Sequence, residues 1–181
     1  MSTRLDDLLA LDNPGLMRAL EGGHPIDPAA LDDMEYRGVS LGLPSTIERL
    51  SWKTFKKVFH RDPETGALRG WNVRITQNGD IHGAYEPMMR GGKLRTFGHY
   101  EVVSTDGQKM PCDVDGLLIH YGLGKNPALD PIRRVRDPLV AIEAGSTELL
   151  LGWSYVDLGL TTVGTPSFFA LTRDVPLSHV A

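Results

Sequence analysis

The hydrophobic pattern of this chain changes from a helical period to a period of two near residue 69. This change constrains the fold more than any other feature. Downstream of it, apolar and polar residues alternate in short runs, separated by turn residues such as Asn78-Gly79 and Asp106-Gly107. With one further segment upstream, the alternation predicts strands near residues 34–41, 70–76, 81–87, 93–104, 112–121, 138–143, 147–158 and 167–174.

About eight strands with hairpin-length gaps favour antiparallel pairing, and eight can close an up-and-down β-barrel that holds one ligand. The predicted fold class is therefore mainly β. A half-open sheet wrapped on a helix is the alternative. The 181 residues are expected to form a single domain, with a helical segment over 1–31 and the barrel over 34–174.

Two regions carry helical signals. Residues 3–21 read as one or two short helices, with proline at the first helical position after Asn13. Ser45 and Glu48 form a capping-box pattern at the start of a predicted helix over 45–59. The apolar face of this helix consists of Ile47, Leu50, Phe55, Val58 and Phe59. Its basic face consists of Arg49, Lys53, Lys56, Lys57 and His60.

Composition excludes several classes of function. The net charge of −4 gives no field that would attract nucleic acid. The six histidines show no metal-ligand spacing, so neither a metal nor a cofactor is predicted. No segment resembles a secretion signal or a membrane-spanning helix, and the cytoplasm is the expected location. The oligomeric state is left open.

Two local motifs have ordinary explanations. The segment from Gly122 to Asn126 lacks the first glycine and the hydroxyl residue of a phosphate-binding loop, so it is interpreted as a turn. Cys112 follows a proline without a neighbouring histidine, and it is interpreted as a packed residue rather than a nucleophile.

The loop at Asn78-Gly79 decides which residues of its hairpin face inward. A three-residue loop places Ile75 opposite Ile81 and Trp71 opposite Tyr85. A two-residue loop would bury His82 and Glu86 instead, at a cost in free energy. The first register is preferred, so these two polar residues are expected outside.

Strand 93–104 presents a similar choice. Arg95, Phe97, His99 and Glu101 share one face, while Leu94, Gly98, Tyr100 and Val102 share the other. The apolar set is the better candidate for the interior. If the polar set faced inward, His99 and Glu101 could act as an acid–base pair.

Aromatic residues supply the strongest functional signal. Trp153 and Tyr155 share a face of strand 147–158, and Phe169 lies on the last strand. An apolar pocket with a few polar anchors is typical of a small-molecule site. The predicted ligand-binding residues are Trp71, Tyr100, His120, Trp153, Tyr155 and Phe169.

The leading interpretation is non-catalytic binding of a small hydrophobic or amphipathic molecule, such as a lipid, inside the barrel. One alternative is an isomerase, cyclase or lyase that uses His99 or His120 with Glu101. A second is a protein-interaction module that uses an exposed sheet or the basic helix face, which could also attract an anionic membrane surface.

Two stretches resemble a bacterial family pair, the GXWXG family and the domain of unknown function that usually follows it. The first runs from Met34 to Gly38, with Ser51-Trp52 and Lys56-Lys57-Val58-Phe59 downstream. Met34 and Tyr36 stand where the motif has glycine and tryptophan. The second comprises Glu148 to Gly152 and Phe168 to Arg173. The resemblance implies a calycin-like barrel, related to lipocalins and fatty-acid-binding proteins, in which Tyr36 closes one end.

Overall fold

The protein is described by a computed structural model that covers residues 4–42 and 53–180. The N-terminal segment forms helices α1 (Leu5–Leu9) and α2 (Asn13–Glu21), followed by a 3₁₀ turn at Pro28–Leu31. The Asp12 carboxylate caps α2 by accepting a hydrogen bond from the Gly15 amide at 2.8 Å. None of the described helices is long and apolar enough to cross a membrane.

Ten strands lie within the described ranges, and eight of them close into an antiparallel barrel. Barrel neighbours follow one another along the chain, as expected for an up-and-down meander, and the last strand pairs with the first. β4 and β5 form a separate small hairpin. The strands are β1 (Met34–Leu41), β2 (Thr54–Arg61), β3 (Leu68–Val73), β4 (Met89–Arg90), β5 (Lys93–Leu94), β6 (Thr96–Ser104), β7 (Leu117–His120), β8 (Val135–Ala141), β9 (Leu149–Asp157) and β10 (Thr162–Pro176).

The predicted helix over 45–59 is wrong where the structure describes it. Residues 54–59 belong to β2, Lys53 lies in a bend just before it, and residues 45–52 lie outside the described residues. β2 pairs with β1 on one side and β3 on the other, so its backbone groups are satisfied by the barrel. Thr54, Phe55, Val58 and Phe59 also suit a strand, because β-branched and aromatic side chains pack well on a pleated surface.

The predicted hairpin between 70–76 and 81–87 is replaced by a longer loop. β3 ends at Val73, and Ile75 makes an isolated bridge to Pro87 rather than facing Ile81. His82 and Glu86 are exposed and Tyr85 is buried, as expected. The predicted strand 112–121 is shorter, because only Leu117–His120 form ladder pairs.

The two largest clusters of apolar side chains lie on opposite sides of the barrel wall, one inside it and one outside. The inner cluster includes Tyr36, Phe59, Tyr100 and Phe169, and Leu31 from the 3₁₀ turn packs with it. The outer cluster lies between the barrel wall and the N-terminal helices, where Leu8, Leu16 and Leu20 meet Val39, Leu151, Trp153, Tyr155 and Phe168. Several strands are therefore buried on both faces, and apolar character alone does not reveal their inward side.

Candidate ligand-binding site inside the barrel

A cavity of about 250 Å³ lies at one end of the barrel. At this end β1, β3, β7 and β9 finish, and β2, β6, β8 and β10 begin. All eight barrel strands, counting the residue after β7, contribute to its wall. The lining residues are Ser40, Phe55, Lys57, Asn72, Phe97, Tyr121, Ile132, Asp137, Ser154, Ser167 and Phe169.

A lysine, a tyrosine and an aspartate are joined in this wall. The Lys57 Nζ donates to Tyr121 Oη at 2.9 Å, and Tyr121 Oη donates to Asp137 Oδ2 at 3.0 Å. Nζ and Oδ2 are 3.8 Å apart, which makes Lys57 and Asp137 an ion pair bridged by a hydroxyl. Both charged side chains are almost wholly buried, at 1% and 3% exposure.

Three aromatic rings surround the Lys57 ammonium. Its Nζ lies 4.7 Å from the ring centroid of Tyr100, 5.1 Å from that of Phe169 and 5.3 Å from that of Tyr121. At these distances the negative face of each ring attracts the cation, and the attraction is stronger where water is excluded. The rings and Asp137 together compensate for part of the desolvation of Lys57.

Burial dominates the protonation behaviour of this group. It lowers the pKa of Lys57 to about 8, while the nearby Asp137 carboxylate opposes the shift. Burial also raises the pKa of Asp137, and Lys57 opposes that change. The pKa of Tyr121 is well above its usual value, chiefly because of burial and then the Asp137 charge, so its hydroxyl stays a proton donor at neutral pH.

One oxygen of Asp137 is left available. Oδ1 is buried and accepts no hydrogen bond by strict geometry from the described residues, although the Ser154 hydroxyl is close enough to lower the pKa of this carboxyl, whereas Oδ2 accepts from Tyr121. A buried carboxylate oxygen without a donor costs free energy. Since Asp137 lines the cavity, a guest that carries a hydroxyl or an N–H could satisfy it.

Glycines opposite aromatic residues shape the interior. Gly38 pairs with Phe55, Gly70 with Tyr100, and Gly152 with Phe169. A Cβ on any of the three would stand less than 3 Å from its partner's ring, so the absence of a side chain leaves room for that ring. Gly152 and Ser154 are both small, and they keep the β9 wall thin beside the cavity.

A bulge turns Phe97 toward the cavity. Gly70 pairs with Tyr100 and Asn72 with Phe97, so β6 has one more residue than β3 between these two pairs. Gly98 occupies the extra stretch with a φ of 56°, a conformation that suits glycine. The bulge reverses the alternation, which explains why Phe97 lines the cavity with the ring of Phe55 instead of facing outward with His99.

The predicted ligand-binding residues divide between the two sides of the wall. Tyr100 and Phe169 belong to the inner cluster, and Phe169 lines the cavity. Trp153 and Tyr155 were expected inside but belong to the outer cluster beneath the helices. Trp153 Nε1 donates to the Thr165 carbonyl there, at 2.7 Å. The reason is that the helices cover the aromatic face of β9, whereas Leu150, Gly152 and Ser154 occupy the other face.

Trp71 and His120 also lie outside the cavity. Trp71 packs with Val58 and Val73 in a third apolar cluster. His120 was expected inward because it shares a side with Leu118, but Leu118 itself belongs to the outer cluster, and Leu117, Ile119 and Tyr121 face inward. Both sides of β7 are apolar, so a shared side with Leu118 did not identify the inward face.

The residues of the predicted enzyme alternative do not line the cavity. Glu101 and His120 are directly opposite on β6 and β7, on the outer side of the wall. His99 and Glu101 line a separate cleft of about 80 Å³ with Arg69 and Gly124. Burial lowers the pKa of both His99 and His120. An acid–base role for these residues inside the barrel is therefore not supported.

Other chemistry has little support among the described residues. No group of three or more histidine, cysteine, aspartate or glutamate side chains there could hold a metal ion. Cys112 packs against the outer cluster, and burial raises the pKa of its thiol to about 11, so it is a poor nucleophile at neutral pH.

The sequence analysis missed the central polar residues of the site. Lys57 was assigned to a solvent-exposed helix face, and Tyr121 and Asp137 were not selected. One signal was present: Asp137 immediately precedes the apolar run Pro138–Ala141, and a charge beside such a run is often paired. Its partner could not be named, because β2 and β8 meet only through the barrel.

Comparisons with protein-family models, with curated proteins and with solved structures find no match to this chain. The resemblance to the GXWXG family therefore stays a prediction.

Proposed function

We propose that this protein binds a small, neutral, amphipathic molecule in the barrel cavity, with the apolar part of the guest against the phenylalanine rings and a donor group on Asp137. The observation that carries the proposal is the unpartnered Oδ1 of Asp137 in a cavity walled by every barrel strand.

The size of the cavity limits the guest. An apolar cavity of about 150 Å³ accommodates benzene, so about 250 Å³ suits roughly ten non-hydrogen atoms. Long-chain lipids exceed this volume. The proposal therefore narrows the expected lipid-like ligand to a compact ring or short chain.

The charges of the wall favour a neutral guest. Among the described lining residues, Lys57 and Asp137 are the charged ones, and each balances the other. A carboxylate guest would leave a net negative charge in a desolvated site, beside Asp137, and desolvation of an unbalanced charge is costly. A hydroxyl guest adds a hydrogen bond without adding charge.

Calorimetry with a matched ligand series tests the proposal. Benzyl alcohol, benzoate and benzylamine share one ring and differ in the polar group. We expect benzyl alcohol to bind with 1:1 stoichiometry and a Kd of roughly a millimolar or tighter, and benzoate to bind at least about tenfold more weakly. Calorimetry is preferred to tryptophan quenching because the two tryptophans within the described ranges, Trp71 and Trp153, lie outside the cavity.

A blocked cavity supplies the control. Ser154→Leu places a larger side chain in the cavity wall and should abolish benzyl alcohol binding, whereas Ser178→Leu, on an exposed segment, should preserve it. Circular dichroism and thermal unfolding establish that both variants are folded. Unchanged binding by folded Ser154→Leu would refute the proposed site, as would the absence of binding by benzyl alcohol and 1-indanol to the wild type.

A further inference from the structure

We propose that the Lys57 amine forms an imine with aldehydes or ketones that enter the cavity, with Tyr121 and Asp137 carrying protons between the reacting atoms. This inference rests on the proposed function of the cavity as a binding site for small neutral molecules, and it adds a second chemical class of guest, the small carbonyl compounds.

The placement of Lys57 suits a nucleophile. Its side chain is 1% exposed, yet it belongs to the wall of a cavity with room for a guest, so a carbonyl compound bound there would lie beside the buried amine. The other lysine of the same strand, Lys56, is held outside by ion pairs with Glu35 and Asp174, at 2.9 and 3.0 Å. Lysines act as nucleophiles when desolvation increases the fraction of free amine.

The hydroxyl of Tyr121 connects the amine to an acid–base group. It accepts from Nζ and donates to Asp137 Oδ2, so proton transfer from Lys57 to Tyr121 together with transfer from Tyr121 to Asp137 leaves a neutral amine and a neutral carboxylic acid. The raised pKa of Asp137 makes this acid more accessible than an exposed aspartic acid would be.

The reaction then balances within the site. The Nζ lone pair forms a bond to the carbonyl carbon, the carbon–oxygen π pair moves to oxygen, and one nitrogen proton transfers to that oxygen to give a carbinolamine. Asp137 donates its proton to the hydroxyl, the carbon–oxygen bond breaks, and water leaves. The products are a protonated imine on Lys57, a carboxylate on Asp137 and one water, so no oxidant or reductant is consumed.

The residues around Lys57 stabilise both the ammonium of the free lysine and the iminium of the product. The iminium retains the positive charge of the original ammonium, opposite the same carboxylate and close to the rings of Tyr100, Tyr121 and Phe169. Within the described part of the chain, the titratable groups that face Nζ are Asp137 from β8, Tyr121 after β7 and Tyr100 from β6. With a pKa of about 8, Lys57 is about one tenth free amine at pH 7, far more than an exposed lysine.

Reductive trapping tests the inference. The protein is incubated with benzaldehyde and sodium cyanoborohydride, which reduces an iminium to a stable secondary amine, and peptide mapping by mass spectrometry locates the added benzyl group. We expect faster labelling at Lys57 than at any other lysine, with a rate that rises as pH increases from 6 to 8. Labelling that occurs only at exposed lysines would overturn the inference.

Matched variants separate the roles of the residues. Lys57→Met should remove the fast labelling, while Lys56→Met should retain it. Tyr121→Phe keeps the ring but removes the proton path, and it should lower the rate at Lys57 by roughly a hundredfold. An unchanged rate in folded Tyr121→Phe would refute the relay.

Noncovalent binding distinguishes the two proposals. If benzyl alcohol binds and Lys57 stays unlabelled by benzaldehyde, the imine is wrong and the proposed binding function stands. If neither benzyl alcohol nor benzaldehyde binds, the proposed function fails and the imine fails with it. The wild type alone supplies this comparison, so the test does not depend on a variant that folds poorly.

Discussion

Lys56 and Lys57 are consecutive on β2 but lie on opposite sides of the barrel wall. The Lys56 ammonium pairs with Glu35 and Asp174 on the outer side, and that of Lys57 lies inside, 3.8 Å from Asp137. The two pKa values move in opposite directions. Burial lowers that of Lys57. For Lys56, burial alone would also lower the pKa, but the hydrogen bonds that its ammonium donates to Glu35 and Asp174, together with the charges of these carboxylates, outweigh burial and raise it. The alternation of a strand thus gives two identical residues different chemistry.

The buried ion pair predicts strong coupling between its members. Asp137→Asn leaves the Lys57 ammonium without a carboxylate, and we expect the free energy of unfolding to fall by about 3 kcal/mol in urea titrations. The double variant Lys57→Met/Asp137→Asn should recover most of this loss. The control is Asp157→Asn in the more exposed Arg136–Asp157 pair, whose side chains are 12% and 35% exposed, where about 1 kcal/mol or less is expected. Additive single and double effects would show that the two groups do not interact.

Stability should depend on pH through Lys57. Between its folded pKa of about 8 and the ordinary 10.5, the unfolded chain binds more protons at this residue than the folded protein does. The free energy of unfolding contributed by Lys57 therefore rises with pH across this window, by about 3 kcal/mol in total, and falls as pH decreases through 8.

The measurement is the difference in unfolding free energy between wild type and Lys57→Met from pH 7.5 to 9.5. The difference is needed because Cys112 also titrates at alkaline pH. Burial raises the pKa of its thiol, so the unfolding free energy contributed by Cys112 falls as pH rises above about 9, in the wild type and the variant alike. A difference that does not change with pH would show that Lys57 titrates normally.

The pairing of glycine with aromatic rings predicts unequal effects of added methyl groups. A Cβ on Gly152 would stand 2.2 Å from the Phe169 ring, which can move, whereas one on Gly70 would stand 1.8 Å from the Val58 carbonyl oxygen. We expect Gly152→Ala to cost about 1–3 kcal/mol and Gly70→Ala to cost more, because backbone cannot yield as a side chain does.

Thermal and urea unfolding check this prediction, and Gly152→Ala/Phe169→Leu is the matched control. The smaller side chain at 169 should restore part of the stability lost in Gly152→Ala. A double variant that is less stable than the sum of its single variants would contradict the predicted overlap.

The location of Trp153 predicts that stability and binding respond separately to its substitution. Trp153→Phe removes the hydrogen bond to Thr165 and part of the packing against Phe168, so unfolding should become easier by about 1–3 kcal/mol. The affinity for benzyl alcohol should change less than about twofold. Phe169→Leu, inside the cavity, should weaken that affinity more. A larger loss of affinity in Trp153→Phe than in Phe169→Leu would show that Trp153 contributes to the binding site.

The sequence was sufficient for the fold class but not for the strand boundaries around the site. The β-strand alternation downstream of residue 69, the turns and the N-terminal helices are local signals. The closed barrel confirms the mainly β class, and α1 and α2 confirm the helices, but the predicted strand 81–87 does not form and β2 is the eighth barrel strand in its place. The helix predicted across Phe55, Val58 and Phe59 failed because the same spacing fits one face of a helix and both faces of a buried strand. Only pairing with β1 and β3 distinguishes them.

The sequence by itself determined that apolar and polar residues alternate along strands, that turns separate the strands, and that the strands suffice for a closed barrel. Hydrophobic periodicity and turn chemistry act over a few residues, so both can be recognised in the sequence. The tertiary structure alone decided which face of each strand points inward. The helices cover Trp153 and Tyr155, the bulge at Gly98 turns Phe97 inward, and barrel closure brings Lys57 to Asp137. The physical reason is that burial is a property of the assembled wall, so a strand with apolar residues on both faces carries no local mark of its inner side.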